Sequence, residues 1–324
     1  MSALIFANVS KTYPRSKARA VDNISLTVNR GELFGLIGPD GAGKTTLMRI
    51  ATTLLHADQG TVTVEGHDVT RDYAAIRRIT GYMPGRFSLY QDLSVEENLH
   101  FFATVFGTTI KDNLHLIADI YNQLAPFAKR QAGALSGGMK QKLALCCALI
   151  HEPQILFLDE PTTGVDPVSR REFWDMLAKL RARGITIFVS TPYMDEASRC
   201  DRIALIQHGR LIATNTLAGL LAQHRVPTYA SSGSQPFRLL QALRAHPDVQ
   251  YAFAFGQQQH FVMRDHIDPT PVITYLRAHG HPEVLVRSVE PNIEDVFIAL
   301  SAGTSGEAAP RPERSIVPSP AAQS

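Results

Sequence analysis

A run of closely spaced glycines, followed at once by a lysine and two threonines, is the first feature of the sequence that could carry out chemistry. The run is Gly38-Pro39-Asp40-Gly41-Ala42-Gly43-Lys44-Thr45-Thr46. Glycines let a backbone curl until successive N–H groups point inward, and a helix beginning there adds its positive end, so the pattern predicts a phosphate-binding loop. Lys44 would reach the β- and γ-phosphates of ATP, and the Thr45 hydroxyl would bind Mg²⁺.

Two alternatives to a phosphate-binding loop are weaker. A simple glycine-rich turn would not require a strand before it, whereas the compact apolar run Leu33–Ile37 predicts one there. A dinucleotide-binding loop is disfavoured because the spacing GxGxxG is absent and Lys-Thr follows the last glycine directly.

Two adjacent carboxylates, Asp159 and Glu160, end a second apolar run, Ile155–Leu158. In proteins that hydrolyse ATP, one such carboxylate holds Mg²⁺ through water and the other polarises the attacking water. We therefore expect Asp159 to serve the metal and Glu160 to be the catalytic residue. Strands often end in acidic residues, so the pair is informative only together with the glycine-rich loop.

Composition restricts the classes of protein to consider. A length of 324 residues favours two domains, and a hydrophobic content of 44% allows a sizeable core. The net charge of +2, from 32 basic and 30 acidic residues, gives no electrostatic case for nucleic acid as a partner. Arginine pairs such as Arg170-Arg171 read as solvated helix faces. The three cysteines have no CxxC spacing, which fits a reducing compartment.

The sequence predicts neither a membrane span nor a signal peptide. No apolar run approaches the ~20 residues that cross a bilayer. The first residues lack a basic start followed by a long apolar stretch, and they read as a strand instead. Any role at a membrane would therefore depend on a partner.

The elements that must position the loop and the acidic pair lie in residues 1–225. Short apolar runs alternate with helix-compatible sequence there, which predicts a parallel sheet covered on both faces. The expected strands of this sheet are Leu33–Ile37, Ile155–Leu158 and Ile185–Val189. Clearer alternation in Leu4–Val9 and Thr61–Val64 predicts an antiparallel β portion near the start.

Residues 226–300 are expected to form a small α+β domain, of a size able to fold alone. The turn-rich start of this domain, residues 226–236, reads as a linker or a loose edge strand. The tail over residues 301–324 is rich in proline, serine and alanine, and is expected to be disordered.

A third motif lies between the glycine-rich loop and the acidic pair, and it suits an anion because Ser-Gly-Gly opens a helix there. The motif is Leu135-Ser136-Gly137-Gly138-Met139-Lys140-Gln141. It resembles the LSGGQ signature of ABC ATPases, and the resemblance covers residues 4 to about 222. It implies an α/β fold of the P-loop NTPase, ABC ATPase type: a parallel sheet core, an antiparallel β subdomain and a helical subdomain over about residues 86–150.

The resemblance also implies how the site is completed. Two such domains dimerise head to tail, and each ATP is held between one glycine-rich loop and the opposite signature. The residues that would act in trans are Leu135, Ser136, Gly137, Gly138 and Gln141. Tyr13 stands where family members carry an aromatic that stacks on adenine, although an ordinary aromatic at a strand end would look the same. Asp166 resembles the D-loop residue that crosses the dimer interface.

Residues 81–84, 92–99 and 193–197 are similar to the ATPases of drug and polysaccharide exporters, and residues 291–298 resemble the end of their C-terminal extension. This subclass implies transmembrane permease subunits as partners, contacted near residues 85–98. It also implies a cytoplasmic protein held at the inner face of the plasma membrane through the permease. An importer subunit is the nearest alternative within the same class.

Two positions depart from the family pattern. Gly85 stands where members usually carry a Gln that links Mg²⁺ and the attacking water to the permease contact. Pro192 stands where they carry a His that contacts the γ-phosphate, and proline has no backbone N–H. The departures predict a site that binds ATP but hydrolyses it slowly, paired with a different ATPase subunit whose Gln and His are intact.

Three alternatives stay open. Neighbouring groups or water could compensate for the two departures, in which case the chain works as a homodimer. The chain could instead be a regulatory clamp that binds ATP and rarely hydrolyses it. A soluble ABC protein acting on ribosomes or DNA is less favoured, because such proteins usually carry two ATPase domains and basic insertions.

Overall fold

The structure, a computed structural model, describes residues 1–14, 18–224, 226–264 and 268–304. The chain forms two units that divide between Gln223 and His224. The N-terminal unit holds the glycine-rich loop, the acidic pair and the signature motif. The C-terminal unit corresponds to the small α+β domain, although the sequence predicts that this domain begins at residue 226 and the unit begins at His224.

The central element of the N-terminal unit is a six-stranded sheet in the order β10-β9-β3-β8-β7-β6. Strand β10 is antiparallel to β9, and all other neighbours are parallel. The strands are β3 (Leu33–Ile37), β6 (Thr80–Met83), β7 (Ile155–Asp159), β8 (Thr186–Thr191), β9 (Arg202–Gln207) and β10 (Arg210–Asn215). Every residue of β3, β7 and β8 is buried, as expected for strands covered on both faces.

A four-stranded antiparallel sheet in the order β2-β1-β4-β5 packs beside the parallel one. Its strands are β1 (Ser2–Thr12), β2 (Arg19–Asn29), β4 (Gln59–Val64) and β5 (His67–Asp68). The two sheets share one apolar core, in which the ring of Phe188 on β8 lies within about 6 Å of the rings of Phe6, Phe34 and Phe157.

Seven helices belong to the described part of the N-terminal unit. They are α1 (Lys44–Ala51), α2 (Tyr73–Ile79), α3 (Val95–Val105), α4 (Ile110–Leu124), α5 (Gly137–Leu149), α6 (Pro167–Ala182) and α7 (Leu217–Gln223). Helices α3, α4 and α5 pack on one another and form the helical portion expected over residues 86–150. The first of these helices, α3, begins at a capping box, in which the side chains of Ser94 and Glu97 each accept a hydrogen bond from the other's backbone N–H.

The C-terminal unit follows the order β-α-β-β-α-β with one added helix. Its elements are β11 (Thr228–Ser232), α8 (Pro236–Ala245), β12 (Val249–Phe255), β13 (Gln258–Met263), α9 (Thr270–Ala278), β14 (Leu285–Val289) and α10 (Ile293–Thr304). The strands form an antiparallel sheet in the order β12-β13-β11-β14, which is a ferredoxin-like arrangement.

The interpretation of residues 226–236 as a linker or loose edge strand is wrong. Strand β11 pairs with β13 on one side and β14 on the other, so it is an inner strand. Thr228, Tyr229, Ala230 and Ser231 are all buried. The sequence misleads because small polar residues are typical of turns, yet here the sheet satisfies their backbone groups, and Ser231 Oγ donates to the carbonyl of Gln259.

The predicted start of the disordered tail, residue 301, still lies within a helix. Helix α10 continues through Thr304, four residues into the range 301–324, and residues 305–324 lie outside the described part of the chain. A buried pair ties this helix to the sheet, because His260 Nδ1 on β13 lies 2.9 Å from Asp295 Oδ1 on α10. Among the described residues, no helix combines the length and the apolar character needed to cross a membrane.

Candidate active site

The glycine-rich loop joins β3 to α1, as the sequence predicts, and two of its glycines are sterically required. A Cβ on Gly38 would lie 2.1 Å from the backbone oxygen of Ile206, which no rearrangement of a side chain could relieve. Gly43 has φ +108°, a conformation that favours glycine, and it directly precedes the first helical residue, Lys44. The loop therefore curls tightly at the start of α1 and presents its backbone there.

Lys44 lies inside this loop with only 3% of its surface exposed. Its Nζ donates to the carbonyl oxygens of Gly38 and Pro39, at 2.8 and 3.0 Å. The same ammonium is 3.0 Å from Oε1 of Glu160, which follows the end of β7. The fold thus brings together the cation and the carboxylate that the sequence separates by more than a hundred residues.

Asp159 is the last residue of β7 and is also 3% exposed. Its Oδ1 accepts hydrogen bonds from Thr45 Oγ1 at 3.2 Å and from Ser190 Oγ at 2.6 Å. A carboxylate beside a hydroxyl supplies the hard oxygen ligands that Mg²⁺ prefers. Sequence reasoning missed Ser190, although one signal was available: a serine that directly follows the apolar run Ile187–Val189 of β8.

The backbone of Glu160 is held in an uncommon conformation. Its φ is +50°, which is unfavourable for a residue with a side chain. The Glu160 N–H donates to both the carbonyl and the hydroxyl oxygen of Ser190, at 3.0 and 3.1 Å. The strand β8 thereby fixes the direction in which the Glu160 carboxylate leaves the sheet.

Tyr13 lies near the other side of the loop. Its hydroxyl is 3.2 Å from Oγ1 of Thr46 on α1, so the phenol ring is next to the start of the helix. Tyr13 therefore contacts the helix that the glycine-rich loop opens. The remaining loop residues, Pro39, Asp40 and Gly41, are exposed, while Ala42 is buried.

The two positions that depart from the family pattern are both close to the acidic pair or the loop. A Cβ on Gly85 would lie 3.0 Å from the carbonyl oxygen of Asp159 and 3.8 Å from Cβ of Glu160. Pro192 directly follows Thr191, whose carbonyl accepts a hydrogen bond from the N–H of Gly38 at 3.3 Å. A side chain at position 85 would therefore meet the acidic pair, and Pro192 is next in sequence to a residue that contacts the loop.

The signature motif forms the start of α5. Ser136 is its N-cap and accepts from the N–H of Met139 at 3.4 Å, while Leu135 is buried in the helical core and Gln141 is half-buried. Among the described residues, no hydrogen bond joins the motif to the glycine-rich loop of the same chain. Gly137 and Ser136 are exposed, so this helix start faces solvent.

The segment around Asp166 lies against that helix start. A Cβ on Gly138 would be 2.6 Å from Oγ of Ser169, and one on Gly137 would be 3.7 Å from the oxygen of Gly164. Asp166 is the N-cap of α6. Its Oδ1 accepts a hydrogen bond from the N–H of Ser169 at 3.0 Å, and this bond lowers the pKa of the Asp166 carboxyl. The signature and the segment containing Asp166 therefore form one exposed surface.

One expectation about surface charge is wrong. The sequence predicts a solvated helix face for Arg170, yet its guanidinium carbon lies 4.1 Å from the ring centre of Tyr193, and its side chain is mostly buried. The sequence gives no warning of this because the two residues come from different elements. Arginine prefers such flat contacts with aromatic rings.

Comparisons with known proteins place these features in a family. The model of the family described as ABC transporter matches residues 21–163. The chain is 36% identical over 303 residues to the Nod factor export ATP-binding protein I of Rhizobium sp. strain N33, with 92% of this chain and 97% of that protein covered. The chain belongs to the ABC transporter family. The resemblance inferred from the sequence, to ATPases of drug and polysaccharide exporters, is confirmed.

A longer relative and a solved structure extend the comparison. The chain is 39% identical over 308 residues to the probable multidrug ABC transporter ATP-binding protein YbhF of Escherichia coli K12, covering 92% of this chain but 52% of YbhF. It therefore spans about half the length of that relative. A dimeric ATP-binding cassette in a post-hydrolysis state with ADP and Pi has a TM-score of 0.61 and 25% identity, covering 66% of this chain and 98% of that one. The N-terminal unit is an ABC ATPase domain.

We expect Gly38→Ala to weaken Mg-ATP binding by about tenfold or more, because relieving a backbone clash costs roughly 1–3 kcal/mol. Titration of the purified protein with a fluorescent ATP analogue measures the dissociation constant. Gly233→Ala is the matched control, since its added Cβ would meet only an ordinary 3.5 Å contact. An affinity unchanged by Gly38→Ala would contradict the close approach of Ile206.

Proposed function

We propose that the chain is the ATP-binding and ATP-hydrolysing subunit of an ABC exporter, driving a membrane permease by closing and reopening a dimer of nucleotide-binding units. The observation that carries this proposal is the convergence of Lys44, Asp159 and Glu160 beside the glycine-rich loop. The name of one relative, the Nod factor export ATP-binding protein I, supports the direction of transport. The permease would hold the chain at the cytoplasmic face of the plasma membrane.

The loop residues would bind the triphosphate of ATP through backbone N–H groups and the start of α1. Lys44 would hold the β- and γ-phosphates, and Tyr13 would stack on the adenine. Thr45 and Asp159 would hold Mg²⁺, because their oxygens already converge within 3.2 Å. When bound, the ion would neutralise charge on the phosphates.

Glu160 would act as the catalytic residue by accepting a hydrogen bond from the attacking water and polarising it. Three features of Glu160 support this role. Its N–H donates to Ser190, its φ is positive, and its Oε1 lies 3.0 Å from Nζ of Lys44. Together they restrict where the carboxylate can point. A positioned base of this kind contributes roughly 10²–10⁴ in rate.

The exposed surface around the signature would face a second ABC ATPase domain. Its Ser136, Gly137 and Gly138 form a helix start suited to the γ-phosphate of the partner's ATP. Asp166 and its neighbours lie against that helix start, so the same surface would carry the interface contacts. The dimeric arrangement of a solved relative supports this geometry.

We expect Glu160→Gln to reduce ATP turnover by at least about 100-fold while leaving Mg-ATP affinity within threefold, because the amide keeps the size but loses the base. With ATP and Mg²⁺ present, the variant should sediment as a dimer, either with itself or with a partner cassette. Lys44→Ala is the control that should lose nucleotide binding and assembly together. Absence of Mg-ATP affinity in the unmodified chain would refute the proposed function.

The site built on this chain's own loop is proposed to hydrolyse ATP slowly. Gly85 brings no side chain to the acidic pair, although a Cβ there would lie beside Asp159 and Glu160. Pro192 offers neither a side-chain donor nor an N–H. Since the signature is complete, it would still serve a partner's site, which favours pairing with a different ATPase subunit.

Restoring the family residues should therefore accelerate hydrolysis. We expect Pro192→His and Gly85→Gln, combined, to raise turnover by about tenfold or more, since positioned polar groups contribute at that scale. Pro192→Ala is the control, because it removes the ring without adding a donor. Brisk turnover of the unmodified chain, unaffected by either substitution, would instead favour a compensated homodimer.

A second candidate function, an ATP-dependent regulatory clamp, rests on the same two positions. Such a protein would bind ATP, close, and stay closed because hydrolysis is too slow to reopen it. Steady turnover in the presence of the partner ATPase and permease would count against the clamp. Binding to ribosomes without a permease would instead support a soluble ABC protein.

The permease is proposed to dock in an apolar groove of the N-terminal unit, of about 450 Å³. Its walls come from the segment after β6, from α3 and from α5, including Met83, Leu89, Phe102, Val105, Phe106 and Ala148. Strand β6 also lines the groove and is followed closely by Gly85, which lies beside the acidic pair. An occupant of the groove would therefore sense the nucleotide site through a short stretch of chain.

We expect Val105→Asp to abolish co-purification with a co-expressed permease partner, because a charge would enter an apolar contact. Val105 is 61% exposed, so the substitution should leave folding and Mg-ATP affinity intact. Leu114→Asp on α4, which does not line the groove, is the matched control. Retention of the permease by Val105→Asp would place the docking surface elsewhere.

A further inference from the structure

A buried carboxylate that the proposed mechanism does not use lies behind the active site. Glu196 belongs to a 3₁₀ turn, Met194–Arg199, that follows β8, and 3% of it is exposed. One of its oxygens accepts from Thr162 Oγ1 at 2.8 Å, and the other accepts from Thr191 Oγ1. Arg170 Nε lies 3.7 Å from the first oxygen.

These contacts compensate the burial of the Glu196 charge. Removing a charge from water is costly unless hydrogen bonds and an opposite charge replace the lost solvation. Two hydroxyl donors and one nearby guanidinium do so here, and each comes from a different segment of the chain. The segments that carry Thr162, Thr191 and Arg170 must therefore stay in register for Glu196 to remain satisfied.

The first of these segments is the one that carries the proposed catalytic residue. Thr162 lies two residues after Glu160, and its carbonyl accepts from the N–H of Val165 at 3.2 Å. Between them, the N–H of Thr163 donates to the carbonyl of Glu160 at 3.2 Å. Glu196 thus fixes a tight turn that begins at Glu160 and leads to Asp166.

The second segment reaches both the metal ligand and the loop. Thr191 follows Ser190, which donates to Asp159, and its own carbonyl accepts from the N–H of Gly38. Thr191 Oγ1 also accepts from the N–H of Tyr193, at 3.0 Å. Glu196 therefore fixes the end of β8 directly before Pro192, which stands where family members carry a histidine and which has neither a side-chain donor nor a backbone N–H.

The third segment closes the network. Arg170 on α6 lies over the ring of Tyr193 and near Glu196, so it holds the helix after Asp166 against the turn after β8. We propose that Glu196 is a positioning residue for ATP hydrolysis, which sets the Glu160 turn and the end of β8 relative to each other. The inference rests on the catalytic role proposed above for Glu160.

The test compares substitutions that preserve size but alter single hydrogen bonds. Glu196→Gln removes the charge and one acceptor, and Thr162→Val removes a hydroxyl from the same contact. We expect each to slow single-turnover hydrolysis of Mg-ATP, measured with protein in excess, by about 10- to 100-fold, as small displacements of reacting groups do. Mg-ATP affinity should stay within threefold.

Two controls separate positioning from general stability. Thr162→Ser keeps the hydroxyl and should restore the rate to within threefold of the unmodified chain, whereas loss of packing alone would not be rescued in this way. Glu172→Gln alters a half-exposed carboxylate on α6 that pairs with Lys142, and it should leave the rate unchanged. If Glu196→Gln does not fold, the Thr162→Val and Thr162→Ser pair decides.

The outcomes also distinguish this inference from the proposed function. Hydrolysis within threefold of normal in Glu196→Gln or Thr162→Val, while Glu160→Gln abolishes it, would overturn the role of Glu196 alone. Parallel losses of affinity and rate, equal in Thr162→Val and Thr162→Ser, would show a merely structural contact and overturn it as well. A chain that neither binds nor hydrolyses Mg-ATP would refute the proposed function itself.

Discussion

The arrangement depends on holding one buried cation and two carboxylates together at one edge of a parallel sheet. Lys44 begins the helix after β3, Asp159 ends β7 and Glu160 directly follows it. The charges meet because parallel strands deliver their carboxyl ends to the same edge. Neither Lys44 nor Asp159, which are both 3% exposed, could remain buried alone. The apolar strands beneath them provide the rigid support, and the glycine-rich loop provides the carbonyl partners for the ammonium.

Strand β8 explains why the site holds its shape. It lies between β3 and β7 in the sheet, so its last residues reach the loop on one side and the acidic pair on the other. Ser190 bonds to Asp159 and Glu160, and Thr191 bonds to Gly38 and Glu196. Two small polar residues at the end of this strand thus connect the glycine-rich loop, the acidic pair and Glu196.

Much of this could be predicted from the sequence, because the motifs depend on local geometry. Gly38 and Gly43 are dictated by the curl of the loop, and the apolar run before Asp159 predicts its strand. What could not be predicted depends on contacts between distant segments. Ser190, Glu196 and Arg170 look like ordinary polar residues until the fold brings them together, and no periodicity marks a carboxylate that is buried by three separate elements.

The same limit explains the error at the start of the C-terminal unit. Residues that read as a flexible connection form β11, the strand on which both neighbours of the second antiparallel sheet depend. Cutting the chain between Thr228 and Pro236 to excise the cassette would remove the partner that β13 and β14 share. It would also expose the ring of Tyr229, which stacks on Phe261. A clean separation of the two halves has to fall before Thr228.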